Sequence, residues 1–160
     1  MKYKVVLHTL GNIIFFLGIS MVFPLFYAIY YQEGITVYAF AASIIITCLS
    51  GLFLQHTFIP ENGIGRKEGF AIAALGWIMA AAFGTFPFLF TGTFTNFIDA
   101  YFESMSGFTT TGATVLKYIE GNPLSVLFWR DQIQWMGGMG IIVLVVAILS
   151  ALGVGGMQLF

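Results

Sequence analysis

Uncharged, mostly apolar residues fall into four long blocks along this chain: Val5–Tyr31, Val37–Leu54, Phe70–Phe90 and Ile133–Val154. A helix needs about 20 mostly apolar residues to cross the hydrocarbon of a bilayer. Each block meets or approaches that length, the second being extendable to Ile59, so the pattern predicts four spanning helices. Pro24 lies inside the first block. In lipid a proline kinks a helix rather than ending it, provided a neighbour satisfies the carbonyl it frees. His8 and Asn12, the polar residues of that block besides hydroxyls, are expected to hydrogen-bond at the interface or between helices.

A shorter pattern lies between the third and fourth blocks. Phe94, Phe97, Ile98, Tyr101, Phe102 and Met105 recur at the spacing of one helix face. This predicts an amphipathic helix over about residues 94–106, with Thr93 or Thr95 as N-cap and Asp99 near its positive end. Some thirteen residues rise only about 20 Å, short of the roughly 30 Å hydrocarbon core. Such a helix dips into the membrane and returns. The residues after it, Gly107 to Thr114 (GFTTTGAT), are poor helix formers, with β-branched threonines and two glycines.

Composition fits a lipid solvent. Of 160 residues, 59% are hydrophobic and 8% charged, against about 25% charged in soluble domains; mean hydropathy is +0.93. The net charge of −1 offers no basic field for nucleic acid. Cys48 is the single cysteine, so no intrachain disulfide forms, and its place in an apolar run suits packing. Met1–Lys4 followed by apolar residues imitates a secretory signal. The uncharged run extends far beyond a signal's core of about 7–15 residues and no Ala-x-Ala follows, so a retained first helix is expected.

Charge orients the blocks. Lys2, Lys4, Arg66 and Lys67 fall on one side of the four predicted spans, and Lys117 and Arg130 on the other. The positive-inside rule puts the N-terminus and the loop Pro60–Glu68 in the cytoplasm. His56, beside that loop, is expected at a helix end at the interface, with no ligand spacing around it. The outer side then receives about residues 91–129, including the dipping helix.

Irregular backbone at membrane depth is tolerated where it is buried in protein or lines a watery cavity. A row of carbonyls can replace the water shell of a cation, and threonine hydroxyls can add oxygens. The short helix would aim its negative C-terminal end at the same point. Gly112 suits a position needing φ > 0. Ser106–Thr114 is therefore expected to be a re-entrant filter strand rather than a surface loop, supported by Thr109, Thr114 and Gly107. Glu103 is expected to support it from behind, the alternative being direct attraction of the ion. Asp99 is explained by the helix terminus. In Trp135–Ile141 (WMGGMGI), Gly137, Gly138 and Gly140 thin the last span, as close packing against the short helix and filter requires. Arg130 and Asp131 are candidates to pair with each other at its outer end. Gly153–Gly156 reads as a helix end.

Two runs carry a specific resemblance. Asp99–Thr114 (DAYFESMSGFTTTGAT) and Trp129–Ile141 (WRDQIQWMGGMGI) resemble the first pore repeat of the Trk/Ktr/HKT potassium transporters, and the two leading helices resemble the bacterial TrkH type. The resemblance implies an all-α polytopic membrane protein. Residues 1–60 would form two leading transmembrane helices. Residues 61–160 would form one helix–pore loop–helix repeat, with a re-entrant pore helix near 94–106 and an extended filter strand near 109–114. It further implies potassium uptake across the bacterial cytoplasmic (inner) membrane, with Thr110, Thr111, Gly112 and Ala113 supplying filter carbonyls and potassium, the substrate, held at Thr110, Thr111 and Gly112. Family members with serine at the first-repeat glycine tend to admit sodium, so Gly112 favours potassium. A cytosolic nucleotide-binding, TrkA-like regulatory subunit would dock on the cytoplasmic face.

Such a subunit has four repeats and this chain holds one, so the expectation is the start of a longer subunit whose other repeats complete the pore. The alternatives are a protomer of a homotetrameric cation channel and a sodium-permeable member of the same superfamily. No His-x-x-x-His, Ser–His or paired-Asp arrangement lies inside the spans, so the sequence offers no enzyme reading, and no cofactor is expected.

Overall fold

The computed structural model describes residues 2–59 and 65–151. In chain order its helices are α1 (Tyr3–Ser20), α2 (Val22–Tyr30), α3 (Ile35–Thr57), α4 (Arg66–Gly84), α5 (Phe86–Phe90), α6 (Phe97–Phe108) and α7 (Leu124–Ala151). No strand occurs among the described residues. Tyr3–Tyr30, Ile35–Thr57 and Arg66–Phe90 are each long and apolar enough to cross a membrane. The fourth predicted span falls within α7, except for residues 152–154. These and the Gly153–Gly156 helix end lie outside the described residues, as do residues 60–64 of the predicted loop. Of the rest of that loop, Gly65 is the extended N-cap and Arg66–Glu68 form the first turn of α4, where the Glu68 carboxylate accepts the Lys2 backbone N–H at 2.9 Å.

The first span is bent, as expected. Its two helices meet at Met21, three residues before Pro24. Pro24 has no N–H to give the Ser20 carbonyl four residues back, and Gln132 Nε2 on α7 donates to that oxygen at 2.8 Å. A second break, which the hydrophobic pattern did not indicate, separates α4 from α5 at Thr85, two residues before Pro87. Here too α7 supplies a donor: Trp129 Nε1 bonds the Gly84 carbonyl at 3.1 Å. Trp129 and Gln132 are three residues apart on one helix, so a single face of α7 seats both bends. Met21, Phe40, Phe88 and Trp129 are fully buried in the core that gathers there.

The leading helices pack through small residues, as helices in lipid do. A Cβ on Gly11 would come within 2.9 Å of the Gly51 carbonyl, and one on Gly51 within 2.7 Å of the Phe15 nitrogen. Gly18 sits against the Cys48 side chain. His8 Nδ1 lies 3.2 Å from the Gln55 carbonyl and 3.0 Å from that of Phe58, and as an N–H it caps the C-terminal end of α3.

Candidate functional site

The short helix is shifted from its predicted bounds. Asn96, not Thr93 or Thr95, is the N-cap: its Oδ1 accepts the Asp99 N–H at 2.8 Å while its Nδ2 donates to the Asp99 carboxylate at 2.7 Å. Phe94 lies before the helix and packs edge-on against Phe88. The buried side of α6 is Ala100, Glu103, Ser104, Ser106 and Phe108, whereas Phe97, Ile98 (77% exposed) and Phe102 point away from the bundle. Apart from Phe108 at its end, the fully buried side is small and polar while Phe97, Ile98 and Phe102 turn outward, the reverse of a helix in water. Lipid supplies no hydrophobic drive between helices, so close packing and hydrogen bonds choose the face.

Helix α6 ends in a Schellman arrangement. The Thr110 N–H bonds the Gly107 carbonyl at 2.9 Å and the Thr111 N–H bonds that of Ser106 at 3.0 Å. This motif requires a left-handed residue just past the helix, ordinarily glycine, yet the position is filled by Thr110, with φ of 56°. A β-branched residue there is strained. The Thr109 hydroxyl, which also bonds the Met105 carbonyl, lies 2.8 Å from that of Thr111. Two residues on, Gly112 has φ of 73°. Residues 109–115 are exposed and, from Thr111 to Leu116, irregular.

Behind this segment the chain is anchored at two places. Ser106 Oγ donates to the Ala113 carbonyl at 2.6 Å, so that oxygen, one of the four predicted filter carbonyls, faces its own helix. Glu103, only 4% exposed, receives the Thr114 hydroxyl at 2.9 Å, the Val115 N–H at 3.1 Å and Arg130 Nε at 2.7 Å. Arg130 therefore pairs with Glu103 across 27 residues rather than with its neighbour Asp131. A polar cavity of about 60 Å³, bordered by Glu103, Gly112, Arg130, Asp131 and Gln134, separates the loop from α7.

The three glycines of α7 do different jobs. A Cβ on Gly137 would collide with the Phe108 carbonyl at the end of α6, and one on Gly140 would come within 3.0 Å of the Trp77 ring on α4. Gly138 faces Thr110 with room to spare, its nearest neighbour being Thr110 Cγ2 at 3.9 Å. From the opposite side, Gly107 leaves space for Ile133. The structure thus gathers Glu103, Gly107, Thr109–Thr114, Gly137 and Gly138 around one helix end and puts Gly140 elsewhere. Composition marked neither Ser106 nor Arg130 for its partner, although an Asn three residues before an Asp was a legible cap signal.

Comparison with known proteins agrees on one group. Residues 35–160 match the TrkH family, described as cation transport protein. The chain is 42% identical over 166 aligned residues to the Trk system potassium uptake protein TrkH of Halomonas elongata, covering all of this chain and 33% of that protein. It is 40% identical over 162 residues to the TrkH protein of Escherichia coli K12, again covering all of this chain and 33% of the other. The crystal structure of the potassium transporter TrkH from Vibrio parahaemolyticus superposes with a TM-score of 0.89 at 34% identity, over 99% of this chain and 34% of that one. The chain spans about a third of the length of these relatives.

Proposed function

This chain belongs to the TrkH family of cation transport proteins, and from that premise we propose that it forms the N-terminal part of a potassium-uptake subunit, contributing one of four filter segments. It is a multi-pass membrane protein. Its N-terminus lies in the cytoplasm, following the lysine and arginine asymmetry, and its membrane is the bacterial cytoplasmic one. Thr110, Thr111 and Gly112 offer the ion their carbonyl oxygens. Ala113 contributes less than its neighbours, because its carbonyl is engaged by Ser106.

The observation that carries this reading is the way α6 ends. Its C-terminal turn is closed by the Thr109–Thr111 backbone, and the chain leaves through left-handed Thr110 and Gly112 as an exposed, irregular segment. The negative end of the helix favours a cation there, and three threonines in succession bring oxygens. The outward side of α6, with Phe97, Ile98 and Phe102 exposed, suits contact with the further repeats. The TrkA-like nucleotide-binding subunit belongs at the cytoplasmic ends of the spans, far from this loop.

The test is Gly112→Ser in the complete subunit, expressed in a host lacking its own potassium uptake. The serine should lower the ratio of rubidium to sodium uptake at unchanged membrane abundance. An unaltered ratio rejects the filter assignment.

A further inference from the structure

Resting on that filter reading, we infer that Arg130 is a positioning residue of the filter: it acts through Glu103 to hold the outer end of the loop, at Thr114 and Val115, against α7. The path is short and continuous. Arg130 Nε lies 2.7 Å from Glu103 Oε1, and the same carboxylate receives Thr114 Oγ1 at 2.9 Å and Val115 N–H at 3.1 Å. The Leu116 N–H extends it by bonding Thr114 Oγ1 at 3.0 Å. Two consecutive residues beyond Ala113 therefore hang on one carboxylate, a third hangs on the Thr114 hydroxyl, and the carboxylate hangs on one guanidinium.

Burial gives the pair its leverage. Glu103 is 4% exposed and Arg130 21%. Removing the cation leaves a buried carboxylate uncompensated, which is strongly destabilising, and the relief open to it is to move or rehydrate. The polar cavity that both residues border, together with Gly112 and Ala113, is the space into which loop and carboxylate would relax. The base of the clamp is firm. Trp129 and Gln132, flanking Arg130 on α7, are bonded to the carbonyls at the two bends. Arg130 therefore transmits the position of the bent spans to the filter segment without touching the ion.

The experiment is made in the complete subunit, reading the rubidium-to-sodium uptake ratio and the amount of protein in the membrane. Arg130→Met should lower the ratio by about fivefold or more, the range of a strongly coupled pair. Adding Glu103→Gln should recover most of that loss, since a glutamine oxygen still accepts from Thr114 and Val115 and leaves no buried charge. A purely structural arginine would change abundance and leave the ratio alone. A wild-type ratio in Arg130→Met, in an assay where Gly112→Ser lowers it, overturns the inference while the filter reading stands. Wild-type ratios in both overturn the two together. A lowered ratio that Glu103→Gln does not rescue also overturns it, because Arg130 then acts by another route. Should Arg130→Met fail to reach the membrane, Arg130→Gln is judged by the same criteria. If neither single variant accumulates, a double variant with normal abundance and ratio supports the pairing, and its failure overturns it.

Discussion

Gln132 Nε2 donates to the carbonyl of Ser20 at 2.8 Å, and Ser20 is the residue whose helical donor Pro24 has removed. The bend in the first span and the seating of the last are thus one interaction. Gln132→Leu should lower stability in detergent by about 1 kcal/mol, within the range measured for side-chain hydrogen bonds between membrane helices. In a Pro24→Ala background, where residue 24 can again donate to Ser20, the same change should have less than half that effect. A double-mutant cycle by thermal unfolding measures the coupling; additive effects would mean that Gln132 does not serve the freed carbonyl.

The glycines of α7 separate by what they face. Gly137→Ala drives a methyl group into the Phe108 backbone and should destabilise by about 1–3 kcal/mol, as overpacking does. Gly138→Ala meets only a threonine methyl at 3.9 Å and should be neutral or stabilising by up to about 1 kcal/mol, from helix propensity. Melting temperatures of the two purified variants decide between this ordering and a uniform small-residue stripe.

Thr110 holds a left-handed conformation that asparagine adopts more readily. Thr110→Asn should raise stability by about 0.5–1 kcal/mol, part of the roughly 1–2 kcal/mol that the left-handed region costs an L-residue. Its uptake selectivity should fall at the same time, because the loop gives up a hydroxyl. A variant that is both less stable and equally selective would show that the strain is not confined to Thr110.

Helix α7 begins under a cap from far away. Glu33, in the turn between α2 and α3, accepts the Ser125 N–H at 3.2 Å and also the Ser125 hydroxyl. A carboxylate at a helix N-terminus is favoured by its unpaired N–H groups and dipole. Glu33→Ala should cost about 1 kcal/mol and speed amide exchange in the first turn of α7, at Leu124–Phe128. Asn96→Ala should cost a similar amount, with faster exchange confined to the start of α6. Exchange unchanged at α7 in the first variant would remove Glu33 from this role.

Several elements were legible because their causes are local. The first three apolar blocks set their spans to within a few residues, Val37–Leu54 becoming Ile35–Thr57. The short helix predicted at Phe94–Ser106 became Phe97–Phe108, and the helix holding the fourth block starts well before it, at Leu124. The proline in the first block bent it, and Gly112 took the positive φ expected of it. The cap of α6 was misassigned by one to three residues. Asn96 accepts where the threonines were expected to, because the helix starts at Phe97 and not at Phe94.

Other features depended on where the helices came to rest. A sequence shows that Glu103 and Arg130 carry opposite charges. It does not show that α6 and α7 bring them to 2.7 Å while Asp131, adjacent in sequence, takes no part in the pair. Adjacent residues on a helix point about 100° apart, so Arg130 and Asp131, although they border one cavity, leave the helix in different directions. The outward turn of Phe97, Ile98 and Phe102 was hidden for a related reason. In lipid, apolarity no longer tells inside from outside, and packing of small and polar groups decides. By itself the sequence determined a lipid-embedded chain, its first three spans, a helix too short to cross, and a threonine–glycine segment after it. Tertiary structure decided which side of that helix is buried, which charges meet behind the loop, and which carbonyls at the bends are satisfied from α7. Each of those rests on contacts between residues far apart in the chain, which only the packing of helices in space creates.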